Sequence, residues 1–273
     1  MRAILSVFLL AATVIAEEQQ PPSSATSITS GIPYRVDQTD SYATEKCQLD
    51  IHRPLGVTNA PVVVWFHGGG LTKGERAIPK ALMHQGIVVV AAGYRLSPQV
   101  KCPTYLEDAA AAVAWTIRNA EQYGGSSRRV FISGHSAGAY LSAMVGLDRS
   151  WLARHDLDAN QLAGIIPFSG QAITHFTIRD ERGIPDTRPV IDEFAPLFHV
   201  RSDAAPILLI TGDRDRELLG RYEENAYLYR MLQEVKHPDT DLFELQGFDH
   251  GGMAEPAFPL LLKFVRQHST SER

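Results

Sequence analysis

Residues 134–140 read GHSAGAY, with VFIS before them and LSAMVG after, so a serine stands between two glycines where a strand pattern hands over to a helical one. That setting points to nucleophilic chemistry. A serine hydroxyl is a weak nucleophile that must be exposed, free of local bonds and held near a base. A sharp strand-to-helix turn meets the first two needs by forcing Ser136 into a strained backbone conformation. Side chains two positions to either side would then collide with the neighbouring strand and helix, hence Gly134 and Gly138. The amide of Ala137 falls at a helix N-terminus, where an N–H and the helix dipole favour a developing oxyanion.

Three further pieces lie far from it in the chain. His67-Gly68-Gly69-Gly70 directly follows PVVVWF, and glycines there let backbone N–H groups approach a ligand with no Cβ in the way, which suits an oxyanion site. No Gly-Lys-Ser/Thr follows, which argues against a phosphate cradle. His67 itself reads as a residue tying the loop down rather than as a base. TGDRD follows PILLI, and GFDHGG follows TDLFELQ; each sets an ionisable group at the end of a strand pattern. In an open α/β sheet such ends gather along one edge, so Ser136, an acid at Asp213 or Asp215, and His250 could converge. His155, His175, His199 and His237 lack ligand spacing, so no metal site is expected.

The elements that must position these groups alternate in type. Strands are expected at 46–54, 61–66, 87–94, 129–134, 162–170, 205–213 and 240–248, and helices around 79–85, 105–124, from 137 onward and over 256–268. Most of the strands are apolar throughout, which predicts a mainly parallel sheet with helices on both faces. The connection 171–205 breaks the rhythm with many charges and several prolines. A long stretch of that kind inside a compact domain reads as a cap or binding loop.

Composition bounds the function. The chain has 273 residues, 44% of them hydrophobic, which fits one core and one α/β domain over residues 32–273. A formal charge of -5, from 26 basic and 31 acidic side chains, supplies no basic stripe for phosphates and excludes nucleic acid as a partner. MRAILSVFLLAATVIA carries one basic residue, an apolar core and small residues before Glu17. Residues 1–16 therefore read as a signal peptide, too short to span a bilayer, and predict a secreted or periplasmic protein with no membrane span after cleavage. Residues 17–31, polar and rich in Pro and Ser, read as a linker. Export would permit a bridge between Cys47 and Cys102.

Taken together, HGGG, GHSAG, GYRLSP and DHGG resemble the α/β-hydrolases, and more narrowly the carboxylesterases of the hormone-sensitive-lipase and bacterial esterase branch. The resemblance spans about residues 45–268. It implies the α/β-hydrolase fold and a secreted serine carboxylesterase needing no cofactor, acting on a small-molecule or carbohydrate ester. Ser136 would be the nucleophile, His250 the general acid and base, Asp215 the residue orienting it, and Gly69, Gly70 and Ala137 the oxyanion donors. An amidase or peptidase with the same triad, or an inactive binding module, are the alternatives. Two departures stand out: a cap ahead of the sheet is almost absent, and the family's D-P-L at the acid strand is D-R-E here. The insertion 171–205 could instead shape the pocket, with Phe168, His175 and Phe176 as candidate lining. In this fold the second strand runs antiparallel beside the fourth, which would bring Cys47 and Cys102 to one edge. A bridge there would contribute roughly 4 kcal/mol in the chain-entropy model.

Overall fold

The computed structural model describes residues 25–35 and 40–269, so the expected signal peptide and residues 17–24 of the expected linker lie outside the described residues. Among these, β1 (Thr26–Pro33), β2 (Gln48–Pro54), β3 (Ala60–Phe66), β4 (Val88–Ala92), β5 (Gly125–His135), β6 (Gly164–Phe168), β7 (Ile207–Gly212) and β8 (Thr240–Leu245) form one sheet. Its order is β1-β2-β4-β3-β5-β6-β7-β8. β2 is antiparallel to both neighbours, and every pair from β4 across to β8 is parallel. The helices are α1 (Ser41–Lys46), α2 (Thr104–Asn119), α3 (Ala137–Leu147), α4 (Arg149–Ala153), α5 (Phe176–Glu181), α6 (Arg221–Glu234) and α7 (Ala254–Ser269).

β3 explains why its sequence is apolar throughout. Val62, Val64 and Phe66 join one core with residues of α2 and α3, while Val63 and Trp65 join a second core with Leu261 and Val265 of α7. Both faces of the strand are covered, so neither set of alternate positions can be polar. The alanines of α2, among them Ala109, Ala110 and Ala112, are buried against the sheet, and small side chains let that helix lie close. Asp108 on the same helix is fully buried. It accepts from Arg95 Nε at 2.8 Å and Nη2 at 2.7 Å, and Arg95 Nη1 reaches Asp40 at 2.8 Å. The arginine of GYRLSP thus ties the end of β4 to α2 and to the start of α1.

Several expectations need correction. Thr26–Gly31 belong to β1, paired with β2, rather than to a linker. The stretch 79–85 forms only a single 3-10 turn, Lys80–Leu82. The cysteines are free thiols, so the expected bridge is absent. The antiparallel β2–β4 pairing is present, and Gly93 N–H donates to Gln48 O at 2.9 Å, which puts Cys47 beside the end of β4. The chain beyond Gly93, pinned by Arg95 to Asp108, then carries Cys102 elsewhere. Cys47 lies fully buried beside Tyr34, whereas the Cys102 N–H donates to Glu181 at 2.9 Å.

Candidate active site

β3, β5, β6, β7 and β8 all end at the same edge of the sheet, and the groups picked out by chemistry follow those ends. Ser136 comes directly after β5 and before α3, with φ 58° and ψ -116°. A Cβ on Gly134 would lie 2.6 Å from Phe66 O, and one on Gly138 only 2.0 Å from the same atom. Both glycines are therefore required by close backbone approach. The Ser136 N–H donates to Phe168 O at 2.9 Å, fixing the turn against the end of β6. Its Oγ–H donates to His250 Nε2 at 2.9 Å.

His250 sits between β8 and α7. Asp249 shapes this turn by accepting from Gly252 N–H at 2.7 Å and, through its carbonyl, from Met253 N–H at 3.0 Å. His135, the residue before the serine, donates from Nε2 to His250 O at 2.7 Å and packs its ring 4.7 Å from the His250 ring. Burial, aided by the neighbouring His250, pushes the His135 imidazole down to about 4. It therefore stays neutral near pH 7 and serves as a fixed donor.

The carboxylate facing His250 Nδ1 is Glu217, at 2.8 Å, and this corrects the expectation of Asp215. The reason is a helical turn after β7. Arg216 N–H and Glu217 N–H both donate back to Asp213 O, at 2.9 and 2.8 Å, which turns Glu217 inward and leaves Asp215 exposed. Asp213 is the turn's organiser, accepting from Asp215 N–H at 3.0 Å and from Gly247 N–H at 2.7 Å. Burial on its own would raise the Glu217 carboxyl. The hydrogen bonds from His250, Ser169 and Gly212 N–H outweigh it and hold the group down at about 2. Gly212 is needed here too, since a Cβ on it would meet Glu217 Oε1 at 2.9 Å.

Ser169, the first residue after β6, completes the cluster. It is fully buried with φ 53°; its Oγ–H donates to Glu217 Oε1 at 2.7 Å and its Oγ lies 2.9 Å from His250 Nδ1. Sequence reasoning gave no role to Glu217, Ser169 or His135. The chain order Ser, acid, His allows Glu as readily as Asp, and Glu217, two residues beyond Asp215, satisfies that order. Ser169 carried no local signal at all.

The glycine loop after β3 flanks the serine. Gly69 and Gly70 adopt φ 114° and 65°, and Thr72 and Lys73 N–H groups donate to Gly69 O, both at 3.1 Å. The N–H groups of Gly69 and Gly70 meet no acceptor among the described residues, and Ala137 N–H opens α3 with none in its own helix. His67 ties the loop as expected: Nδ1–H donates to Gly68 O at 2.7 Å and the ring stacks on Tyr94 at 4.3 Å. The insertion 171–205 packs over this loop through α5. Thr177 Oγ1–H donates to Gly70 O, and Phe176 stands so close that a Cβ on Gly70 would be 2.9 Å from its Cζ. Phe176 lines the cleft above Ser136 with Leu218, Thr72 and Lys73, a space of about 390 Å³. Phe168 and His175 do not line it, being fully buried. Among the described residues, no group of three or more His, Cys, Asp or Glu is placed to hold a metal ion, and no helix is long and apolar enough to cross a membrane.

The BD-FAE family model matches residues 49–161. Over 243 residues the chain is 27% identical to Esterase LipC of Mycobacterium tuberculosis, covering 77% of this chain and 58% of LipC. To Carboxylesterase NlhH of the same organism it is 37% identical over 97 residues, 34% of this chain and 30% of NlhH. The chain thus spans little more than half of the one relative and under a third of the other. Among solved structures, a truncated carbohydrate esterase from gut microbiota superposes with a TM-score of 0.73 at 18% identity, covering 90% of this chain and 97% of that one. Thermogutta terrifontis esterase 2, phosphonylated by cyclosarin, gives 0.69 at 20% identity, covering 90% and 96%. A mostly parallel sheet with an antiparallel second strand, a serine turn after β5 and these likenesses lead to one assignment: the chain has the α/β-hydrolase fold, and its sequence is similar to bacterial carboxylesterases.

Proposed function

We propose that the chain hydrolyses carboxylic esters through an acyl-enzyme on Ser136. The observation that carries this reading is the relay in which Ser136 Oγ–H donates to His250 Nε2 at 2.9 Å while Glu217 holds Nδ1 at 2.8 Å. His250 Nε2 takes the hydroxyl proton as Oγ attacks the ester carbonyl, and the imidazolium formed is stabilised by the carboxylate on its other nitrogen. The carbonyl oxygen becomes an oxyanion facing the N–H groups of Gly69, Gly70 and Ala137, donors worth about 10²- to 10³-fold each in such sites. His250 then returns the proton to the leaving alcohol. Water enters by the reverse of the same steps and releases the acid.

The names of the relatives support an ester as substrate, and the similarity to a carbohydrate esterase favours an acylated sugar. A cleft of about 390 Å³, with Phe176 and Leu218 on its walls and Thr72 and Lys73 at its rim, suits a short acyl group on a polar alcohol. The pattern of residues 1–16 supports export, and N-terminal sequencing of the recovered protein should begin at Glu17.

The test is labelling by a fluorophosphonate, which requires an activated serine. Wild type should label and hydrolyse 4-nitrophenyl acetate faster than long-chain esters, and Ser136→Ala should do neither. A wild type that stays unlabelled supports a binding module instead, and faster cleavage of an aminoacyl amide than of the ester supports an amidase.

A further inference from the structure

The buried hydroxyl of Ser169 is unusually placed for a residue outside the triad. It has two partners and both belong to the relay: Oγ–H donates to Glu217 Oε1 at 2.7 Å, a carboxylate oxygen that can only accept, and the same oxygen lies 2.9 Å from His250 Nδ1. With its proton committed to the carboxylate, Ser169 Oγ faces Nδ1–H with a lone pair. That hydrogen is therefore shared between Glu217 Oε2 and Ser169 Oγ.

The backbone points the same way. Ser169 adopts φ 53°, a left-handed conformation costing a non-glycine residue about 1–2 kcal/mol, and its N–H is held by Ile210 O at 2.7 Å. A glycine would take this conformation without strain, as Gly170 beside it could. Strain retained at a buried polar residue calls for a role of its side chain. The end of β6 also touches every member of the relay: the Phe168 carbonyl holds the Ser136 N–H, and the next side chain holds Glu217 and His250. Glutamate has one more rotatable bond than aspartate, so a second clamp on its carboxylate has more to restrain here.

From this the geometry points to Ser169 as a positioning residue that fixes Glu217 and His250 together and shares the Nδ1 hydrogen as imidazolium forms. The inference rests on the hydrolase reading above. No bond is made or broken at Ser169; it acts through the two groups it touches.

The experiment compares wild type, Ser169→Ala, Ser169→Gly, Glu217→Gln and the double variant Ser169→Ala/Glu217→Gln on 4-nitrophenyl acetate, with melting temperatures for each. Loss of a hydrogen bond to a charged group should lower kcat about tenfold in either Ser169 variant at unchanged KM. Ser169→Gly relieves the backbone strain, so its activity should fall without a fall in melting temperature. In the Glu217→Gln background, removing the Ser169 hydroxyl should cost less than about threefold, because the carboxylate that it fixes against His250 has gone. Ser169 variants that keep kcat within twofold, or a double variant losing the full product of the single losses, would overturn the inference while leaving the hydrolase reading intact. A wild type that neither labels with fluorophosphonate nor hydrolyses ester overturns the parent reading, and this one with it.

Discussion

Glu217 receives four hydrogen bonds on its two oxygens. Gly212 N–H and Ser169 Oγ–H reach Oε1, and His250 Nδ1–H and Leu218 N–H reach Oε2. Such a carboxylate stays ionised and immobile, which is what the imidazole needs as it gains charge. Glu217→Gln keeps the shape but loses the charge and puts a donor where an acceptor is wanted, so kcat should fall by about a thousandfold or more. Asp215→Asn, at an exposed position, should leave kcat within about twofold. A large loss in the second variant and a small one in the first would return the role to Asp215. The same carboxylate links folding to acid. Its folded pKa of about 2 lies below the ordinary 4.5, so the unfolded chain binds its proton first. The resulting stability is present above pH 4.5 and fades as pH falls toward 2. Melting curves over that window should slope less steeply for Glu217→Gln than for wild type.

At the scale of elements, the serine turn is short-range, which made it readable from the chain: strand, turn and helix are consecutive and both glycines lie within it. Gly138→Ala would drive a Cβ to 2.0 Å from Phe66 O. Relaxing that contact moves β3 or α3, so the variant should lose roughly 3 kcal/mol or more, seen as a drop in the denaturation midpoint or as insoluble protein. Two of the longer elements that the sequence did not announce, α6 and β1, lack an apolar buried stripe. α6 turns Arg221, Asn225, Leu228 and Leu232 inward, so half of its helical stripe is polar and its period is hidden. β1 leaves most of its side chains exposed at the sheet edge and reads as a linker. The acid was missed for a related reason, because a helical turn between Asp213 and Glu217 leaves no mark in composition. The insertion 171–205 was legible as an interruption but not as an ordered piece. Its order comes from Arg179, whose Nε donates to Thr174 O at 3.1 Å and whose Nη1 donates to Asp186 O and Arg188 O at 2.7 and 2.8 Å. Arg179→Met should free the loop and with it Phe176, raising KM or relaxing acyl-length preference with little change in kcat for the shortest ester.

Across the whole molecule, one edge of the sheet carries two regions, the relay after β5, β7 and β8 and the buried network after β4, where Arg95 and Asp108 meet, and the stacking of Tyr94 on His67 joins them. The bridge expected between Cys47 and Cys102 would have been a third constraint. Its absence moves that burden onto packing and the ion pair. Both thiols are pushed up to about 12 by burial, so near pH 8 each is protonated and a poor nucleophile toward a disulfide reagent. Cys47 is fully enclosed, with Arg95 and Asp108 close by, while Cys102 stands beside Tyr105 and Glu181. Oxidation to a bridge would require one of these surroundings to be dismantled. The native protein, purified without reductant, should therefore react slowly with a disulfide reagent, and the same sample in denaturant should release two thiols per chain. A count of zero in denaturant would mean that the bridge forms after all. Cys102 would then have left its place beside Glu181, and the Arg95–Asp108 pairing on the intervening chain is the contact such a movement would strain.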